Sequence, residues 1–240
     1  MLQSNQIYLG DCLEKMQEID DKSVDLILCD LPYGTTACKW DIIIPFEPLW
    51  AQYERIIKDK GAMVFTATQP FTTILIQSNI EMFRHNWIWD KVRGVGFQIA
   101  KYRPMMRTED ILVFSKKSPN YYPIMTLKDK IKKSKCYKQS ESNPLKYNDG
   151  IERTYTHSYP TNIIQVSNAS QKNKLHPTQK PVILMEYLIK TYSQENDLVL
   201  DNCFGSGSTL IAAKNLNRQF IGIEKEEKYF NIAKERLNLC

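Results

Sequence analysis

Apolar residues recur along the chain in two alternating patterns, short continuous runs and stripes with a period near 3.6 residues. The runs predict strands over residues 7–9, 24–28, 63–65, 87–89, 111–114, 198–200 and 220–223. The stripes predict helices over residues 13–19, 49–57, 71–82, 183–192, 209–216 and 229–237, with Lys60 and Gly61 as the stop of the second helix. This alternation predicts an α/β fold, with an open, mostly parallel, doubly wound sheet and helices on both faces.

Residues 116–175 interrupt the alternation and show little periodicity. We interpret them as an insertion in a single domain that spans residues 1–240. The insertion is rich in tyrosine and lysine, and its lysines cluster at Lys128, Lys130, Lys132, Lys133, Lys135 and Lys138. A lysine run is most often a solvated surface, but basic residues mixed with aromatic rings also suit a surface that neutralises phosphates and stacks on bases. The run by itself leaves both interpretations open.

The composition narrows the classes of protein to consider. The 240 residues are 42% apolar and 25% charged, which is ordinary for a globular domain. Apolar runs stay shorter than the roughly 18 residues of a membrane span, and the polar N-terminus lacks a secretory signal, so we expect a cytoplasmic protein with no membrane partner. The six cysteines form no C-x-x-C pair and only three histidines are present, so we expect no metal site. The net charge of +5 suits a polyanionic partner.

The clearest chemical signal begins where the strand over residues 198–200 ends. Residues 201–209 read DNCFGSGST, in which Asp201 closes a buried strand, two glycines allow a tight turn, and a helix follows. About twenty residues later Glu224 ends the next strand, where doubly wound folds place an acid that accepts hydrogen bonds from ribose hydroxyls. The pattern predicts a nucleoside pocket. Because the full G-x-G-x-x-G spacing is missing, a nicotinamide cofactor is not favoured.

A second acid follows a buried strand at Asp30, where residues 30–33 read DLPY. This tetrapeptide resembles the D-P-P-Y motif of amino-group DNA methyltransferases, and residues 201–209 resemble the D-x-F-x-G-S-G-T-T motif with which that family binds S-adenosylmethionine. The catalytic motif precedes the cofactor motif, and HPTQKP at residues 176–181 stands shortly before the latter. In this order the chain resembles the beta class of adenine-N6 and cytosine-N4 enzymes. Further matching stretches of that class are residues 10–12, 89–91 and 109–114.

The resemblance covers the chain apart from the insertion. It implies a Rossmann-like, circularly permuted fold with S-adenosylmethionine as cofactor, in which the strands that end at Asp30 and Asp201 lie side by side. It also implies double-stranded DNA as substrate, a homodimer as the form expected of the class, and a role in restriction-modification in a bacterial or phage-infected cell. Residues 116–175 occupy the position of a target-recognition region, which favours DNA contact for the lysine cluster. Further candidates for DNA contact are Arg103, Arg107, Arg153 and Asn162.

The resemblance also assigns roles to individual residues. Those expected to be catalytic are Asp30, Leu31, Pro32 and Tyr33. Those expected to bind the cofactor are Asp11, Cys12, Thr178, Lys180, Asp201, Phe204, Gly205, Ser206, Gly207, Thr209 and Glu224. Within this set, Asp11 is expected near the adenine and Glu224 at the ribose. Thr178 and Lys180 are expected near the methionine end, where a carboxylate would suit an ammonium group.

Elementary chemistry explains why such a site needs Asp30. The exocyclic amino nitrogen of adenine is a poor nucleophile because its lone pair is conjugated with the ring. Two acceptors, the Asp30 carboxylate and the Leu31 carbonyl, would favour a pyramidal nitrogen, so catalysis is chiefly positioning plus electrostatics. The base must be flipped out of the duplex, and Tyr33 is expected to stack on it. Leu31 stands where the family most often has proline, so Pro32 and packing must hold the turn.

Several alternatives stay open. Cytosine-N4 enzymes more often have serine in place of Asp30, which favours adenine, and the order of the motifs disfavours RNA or a protein amide as substrate. A DNA-binding regulator without turnover, with Leu31 as its lesion, is disfavoured because the other motif residues are retained. His176 is expected to be structural, since this chemistry needs no general base to start. Residues 34–41, which include Trp40, form either a lid over the flipped base or a connecting loop.

Overall fold

The computed structural model describes residues 1–35, 38, 41–134, 152–168 and 179–239. The chain forms two compact units. The larger unit combines Met1–Tyr122 with Asn162–Cys240, and the smaller unit is Pro123–Thr161. The larger unit therefore contains both motifs at which the sequence predicts chemistry.

The strands are numbered along the chain as β1 (Gln6–Leu9), β2 (Val24–Cys29), β3 (Ile57–Ala67), β4 (Phe83–Val95), β5 (Met106–Phe114), β6 (Thr126–Ser134), β7 (Arg153–Ser158), β8 (Ile163–Gln165), β9 (Leu198–Asp201) and β10 (Gln219–Glu224). Eight of them form one sheet in the order β1-β10-β9-β2-β3-β5-β4-β8. Its neighbouring strands are parallel except at β5, which runs antiparallel to both β3 and β4. The predicted mostly parallel α/β sheet is confirmed.

Helices occupy most of the connections between these strands. They are α1 (Cys12–Lys15), α2 (Phe46–Ile56), α3 (Phe71–Ser78), α4 (Val182–Tyr192), α5 (Ser208–Asn215) and α6 (Glu227–Leu237). All six predicted helices are present. Helix α3 ends at Ser78 rather than at residue 82, because Asn79, which follows Ser78, leaves the helical conformation. In the part of the chain that the structure describes, no helix is both long and apolar enough to cross a membrane.

The predicted stop of the second helix at Lys60 and Gly61 is wrong. Helix α2 ends at Ile56 and β3 begins at the next residue, so Gly61 lies inside a strand. A Cβ atom at Gly61 would stand 2.8 Å from the carbonyl oxygen of Asp25 and 2.7 Å from the side chain of Ile57. Glycine is therefore needed here because β2 and β3 approach closely, not because the chain turns.

Three strands lie in the region where the sequence pattern predicted no regular structure. Strands β6 and β7 pair antiparallel within the smaller unit, and β8 pairs with β4 in the main sheet. Strand β6 reads TLKDKIKKS, so no alternation of apolar residues marks it as a strand. Strand β8 has three residues, of which only Ile164 is buried, and this run is too short to stand out.

The main sheet is covered on both faces. Strand β2 shows this directly, because Leu26 and Leu28 pack into one core layer while Ile27 and Cys29 pack into the other. A strand that is buried on both faces appears in the sequence as a continuous apolar run. This is why β2 shows such a run instead of alternating apolar and polar residues.

Strand β2 lies beside β9, and the two run in parallel with Leu26 opposite Val199. The strand that precedes Asp30 and the strand that ends at Asp201 are thus neighbours, as the circularly permuted order implies. Their carboxyl ends open on the same edge of the sheet, at the position where doubly wound folds bind ligands.

Candidate active site

A cavity of about 590 Å³ opens at the edge of the sheet where β1, β2, β9 and β10 end. This volume is usual for small-molecule sites. The residues predicted to be catalytic that line it are Asp30, Leu31, Pro32 and Tyr33. The residues predicted to bind the cofactor that line it are Asp11, Cys12, Lys180, Asp201, Phe204, Gly205, Ser206, Thr209 and Glu224. Gly207 lies in the turn before α5, and Thr178 falls outside the described residues.

The turn after β9 contains two residues in the left-handed conformation. Gly205 and Gly207 have φ angles of 52° and 80°, which glycine adopts without strain. A Cβ atom at Gly207 would stand 3.0 Å from the Cβ of Ala233 in α6. The guanidinium of Arg236, also in α6, donates to the carbonyl of Ser206. The turn is therefore packed against α6 on one side and open to the cavity on the other.

Glu224 holds the same turn from the end of β10. One of its carboxylate oxygens accepts the backbone N–H of Gly205 at 2.7 Å, and the other accepts the backbone N–H of Glu226 at 2.9 Å. Burial raises the pKa of Glu224, while these backbone hydrogen bonds act in the opposite direction. A carboxylate has about four acceptor positions, so Glu224 retains capacity for the hydroxyls of a ribose.

Asp11 follows β1 at the rim of the cavity. It caps α1 by accepting the backbone N–H of Leu13 at 2.9 Å. Its second carboxylate oxygen lies 3.3 Å from the ammonium of Lys225, and the backbone N–H of Gly10 donates to the carbonyl of Glu224 at 2.9 Å. These contacts hold the ends of β1 and β10 together on one side of the cavity.

Two buried polar atoms of the cavity wall have no hydrogen-bond partner among the described residues. They are the Oγ atom of Ser208, at the start of α5, and the Oδ1 atom of Asn168. Because buried polar groups are almost always hydrogen-bonded, both atoms mark positions that a polar ligand would complete. Together with the glycine turn and the spare acceptor positions of Glu224, they fit a ligand that has several polar groups, as S-adenosylmethionine has.

Asp201 closes β9 and is buried in the cavity wall. Burial raises the pKa of Asp201 to about 7, although hydrogen bonds from the Thr209 side chain and from the backbone N–H of Cys203, at 3.2 Å, act in the opposite direction. This pKa is far above the ordinary range of an aspartate. The carboxyl group therefore keeps its proton to a much higher pH than an ordinary aspartate does.

We expect Asp201→Asn to become more stable relative to the wild type as the pH rises from about 5 to about 7. In this range the carboxyl group has lost its proton in the unfolded chain but retains it in the folded protein, so the wild type loses up to about 1.4 kcal/mol per pH unit. Above the folded pKa of about 7 the difference levels off. Urea unfolding of both cofactor-free proteins across this pH range measures the effect, and parallel stability profiles would contradict it.

Asp30, which follows β2, is held by three side chains. The hydroxyl of Tyr33 donates to Oδ1 at 2.7 Å, and the hydroxyl of Thr66 donates to the same oxygen. The ammonium of Lys180 lies 2.7 Å from Oδ2. Burial raises the pKa of Tyr33, and the charges of Asp30 and Glu109 raise it further, so the phenol remains a hydrogen-bond donor. The carboxylate is thereby fixed in orientation at the cavity wall.

The turn that carries Asp30 is supported by packing. Leu31 is buried in the core, and the ring of Tyr33 stacks on Phe71 with 5.0 Å between the ring centroids. Beyond the turn, the carboxylate of Asp41 accepts the backbone N–H of Gly34 at 2.8 Å. Burial of Leu31 therefore anchors the turn, at the position where a proline would restrict φ.

A chain of alternating charges links Asp30 to the protein interior. The Lys180 ammonium lies 3.0 Å from one oxygen of Glu109, and the Lys91 ammonium lies 2.7 Å from the other. Burial would raise the pKa of Glu109 and lower that of Lys180. The partner charges outweigh burial in both cases, so the pKa of Glu109 falls and that of Lys180 rises. The Lys180 ammonium, expected near the methionine end of the cofactor, thus lies between two carboxylates of the protein.

Sequence reasoning gave no role to Thr66, Lys91 and Glu109, although all three line the cavity. Lys91 and Glu109 stand in stretches that resemble the family and lie two residues from the predicted strands over residues 87–89 and 111–114, so charges beside these apolar runs could have identified them. Thr66 lies in an apolar strand and carries no such signal. Asn168 lies in the region where periodicity fails, and its role depends on the folded cavity.

The predicted DNA-binding lysines are only partly described. Those that lie on β6 of the smaller unit are Lys128, Lys130, Lys132 and Lys133. The Lys128 ammonium stands 5.6 Å from the ring centroid of Tyr155. Predicted residues that fall outside the described ranges are Lys135, Lys138, His176, Thr178 and Trp40. Within the described ranges, no group of His, Cys, Asp or Glu is arranged to hold a metal ion.

Known protein sequences resemble this chain over most of its length. The family model N6_N4_Mtase, described as DNA methylase, matches residues 24–235. The chain is 30% identical over 242 residues to the Type II methyltransferase M.HpaI of Haemophilus parainfluenzae, covering 95% of this chain and 73% of that protein. It is 29% identical over 263 residues to the Type II methyltransferase M1.MboII of Moraxella bovis, covering 99% of this chain and 98% of that protein.

Solved structures share the fold. The M1.HpyAVI complex with S-adenosylmethionine is 28% identical, with a TM-score of 0.64 and coverage of 96% of this chain and 98% of that chain. The cytosine-N4-specific PvuII DNA methyltransferase has the same TM-score at 18% identity, covering 99% and 94%, and this likeness concerns the fold alone. The expected Rossmann-like methyltransferase fold is confirmed. The chain therefore belongs to the N6/N4 family of DNA methylases, which use S-adenosylmethionine to methylate amino groups of DNA bases.

Proposed function

We propose that this protein is a type II enzyme that methylates the N6 amino group of a flipped-out adenine at specific DNA sites. The observation that carries the proposal is the carboxylate of Asp30, presented by β2 in the same cavity as the turn of residues 201–209. Cytosine-N4 enzymes more often have serine at this position, so the acid favours adenine. M.HpaI and M1.MboII are both named as type II methyltransferases, which supports the type.

The two acceptors at the carboxyl end of β2 would activate the target nitrogen. The Asp30 side chain and the Leu31 carbonyl would accept its two N–H groups and favour a pyramidal nitrogen with an available lone pair. S-adenosylmethionine, when bound, supplies a methyl group that its sulfonium makes electrophilic. Glu224, Asp11 and Ser208 are the residues proposed to hold that cofactor, because they surround the glycine turn in the cavity.

Asp30 must exchange one contact before it can receive the amino group. Its Oδ2 atom is bonded to Lys180 at 2.7 Å. Because Glu109 offers Lys180 a second carboxylate at 3.0 Å, the buried ammonium keeps a partner when Oδ2 turns to the substrate. We infer that Glu109 is a positioning residue that allows Asp30 to change partners.

Double-stranded DNA is the proposed substrate, and its target base must leave the stack to reach the cavity. Residues 116–175, which include the smaller unit, are proposed as the target-recognition region. A homodimer and a location in the cytoplasm of a bacterial or phage-infected cell stay predictions, as does closure of residues 34–41 over the flipped base.

One experiment identifies the modified base. The purified protein is incubated with unmethylated genomic DNA and isotopically labelled S-adenosylmethionine, and the DNA is digested to nucleosides for mass spectrometry. Labelled N6-methyladenine is the expected product. Labelled N4-methylcytosine would correct the base while keeping the mechanism. Cofactor binding without any labelled nucleoside would contradict the proposal and favour a regulator that has lost turnover.

Replacing Lys128, Lys130 and Lys133 together by alanine is expected to weaken DNA binding and to flatten its salt dependence. Each phosphate contact contributes about 0.9 to the slope of log affinity against log salt, so loss of three contacts would lower the slope by up to about 2.7. Fluorescence anisotropy of a labelled duplex over a salt series measures the slope. Lys60→Ala, at an exposed position of β3 that does not line the cavity, is the control. An unchanged slope would favour the solvated-surface interpretation.

A further inference from the structure

The end of β4, the start of β5 and the residues between them have an unusually apolar exposed surface. We call residues 92–107 the hairpin tip. Of the twenty large apolar residues exposed in the described part of the chain, seven lie in this tip. Within the tip, Phe97 and Tyr102 are the most exposed of these residues, with 80% and 88% of their surface exposed. An apolar patch of this kind marks an interaction site more often than a bare surface.

The hairpin tip is also strongly basic. Its charged residues are Arg93, Lys101, Arg103 and Arg107, with no acid among them. These four positive charges compare with a net charge of +5 for the whole chain. Arg107 is used internally, because its guanidinium makes two hydrogen bonds of 2.6 Å to the carboxylate of Asp90. The other three are exposed, and no ion pair involves them in the described part of the chain.

The hairpin tip stands beside the active-site cavity. Strand β4 contributes Trp89 and Lys91 to the cavity wall, and β5 contributes Glu109. Val95, within the tip, lines the same cavity. The ion pair between Arg107, in β5, and Asp90, in β4, links these two strands at the base of the tip. A large substrate that presents one group to the cavity would therefore meet the tip as well.

We propose that the hairpin tip is a DNA-docking surface next to the cavity. Phe97 and Tyr102 stack on bases beside the extruded one, and the three cations without internal partners contact phosphates. The proposal rests on the proposed function, because its ligand is the duplex that the site would methylate. Extrusion of a base leaves an unstacked gap, and exposed aromatic rings are the groups that stack on bases without regard to sequence.

Charge distinguishes DNA from a second copy of the chain as the partner of this surface. Two hairpin tips brought together would set arginines and lysines against one another with no acid in either tip, and like charges across an interface oppose association. A DNA duplex presents phosphates along its whole length and so complements the tip. The apolar and the basic character of the tip are thus explained by one partner.

The rings are tested by Phe97→Ala combined with Tyr102→Ala. Anisotropy with a fluorescein-labelled DNA duplex is expected to show a loss of affinity of at least about tenfold, with an unchanged salt slope, because stacking is lost while charge is kept. Phe97→Trp in the Tyr102→Ala background keeps a ring at the tip and is expected to restore part of the affinity. Since both positions are exposed, thermal unfolding is expected to match that of the wild type.

The cations are tested separately by replacing Arg93, Lys101 and Arg103 by alanine. This triple variant is expected to lower the slope of log affinity against log salt by up to about 2.7, since three phosphate contacts are lost. Matched controls are Ile80→Ala, at an exposed apolar position outside the tip, and Lys60→Ala, at an exposed lysine outside it. Both controls are expected to bind DNA as the wild type does.

The outcomes separate this inference from the proposed function. If the wild type methylates DNA while the tip variants keep its affinity and salt slope, the hairpin tip is not a docking surface and the proposed function stands. If the wild type neither binds nor methylates DNA, both proposals fail. If sedimentation shows a dimer that the Phe97 and Tyr102 double variant dissociates without a change in DNA affinity, the tip is a self-association surface and the inference is wrong.

Discussion

Asp30→Ala is expected to lower the rate of methyl transfer at least about 10²–10³-fold and to leave cofactor binding nearly unchanged. The carboxylate would contact the target amino group as the charge of that group changes in the transition state. Removal of the carboxylate therefore slows the chemical step. The residues proposed to hold the cofactor, such as Glu224 and Asp11, make their hydrogen bonds without Asp30. Transfer of labelled methyl groups in a single turnover and calorimetric titration with S-adenosylmethionine measure the two effects.

Asp110→Asn is the matched control for this variant. Asp110 also lies at the carboxyl edge of the sheet, opposite Ala67 of β3, but it accepts a hydrogen bond from Thr72 at 2.8 Å and does not line the cavity. Its replacement is expected to leave the transfer rate close to that of the wild type. If Asp30→Ala instead lost cofactor binding and transfer to the same extent, Asp30 would be a structural residue of the cavity wall. In Asp30→Ala, the buried Lys180 ammonium still has Glu109 as an ion-pair partner, which limits the loss of stability in this variant.

Much of the fold can be predicted because strands such as β2 and β9 are buried on both faces and appear as continuous apolar runs. Prediction from local sequence fails where contacts between distant parts of the chain determine which residue is needed. A Lys-Gly pair after an apolar helix is typical of a helix stop, yet Gly61 is glycine because the carbonyl of Asp25 approaches it closely. Strand β6 escapes prediction for the opposite reason, since its charged residues leave no apolar face to recognise.

The candidate site likewise contains residues that can be predicted from the sequence and residues that cannot. Acids at strand ends are local features, so Asp30, Asp201 and Glu224 can be found from the sequence. Two of the three side chains that hold Asp30 come from far along the chain, with Thr66 separated from it by 36 residues and Lys180 by 150. No local pattern predicts such pairs, because they depend on which strands become neighbours in the folded sheet.

Glu109→Gln is expected to destabilise the protein by about 3–5 kcal/mol. Glu109 is only 7% exposed and lies between two buried ammonium groups. The amide keeps the size of the side chain but removes the charge. Lys180 retains Asp30, at 2.7 Å, whereas Lys91 has no other salt bridge among the described residues. The loss of stability therefore comes mainly from the unpaired charge of Lys91. Urea unfolding measures this loss, with an m-value that is expected to be unchanged.

Asp59→Asn provides the contrast, because Asp59 also lies between two lysines, Lys22 at 3.3 Å and Lys117 at 2.7 Å, but its side chain is 42% exposed. Water can solvate these lysines when the carboxylate is removed, so little change in stability is expected.

The double variant Lys91→Met with Glu109→Gln is expected to recover most of the stability that Glu109→Gln loses, since it removes the unpaired charge of Lys91. If the double variant were no more stable than Glu109→Gln, packing rather than charge would explain the effect. Equal stability of Glu109→Gln and Asp59→Asn would show that burial of the charge network has no energetic consequence.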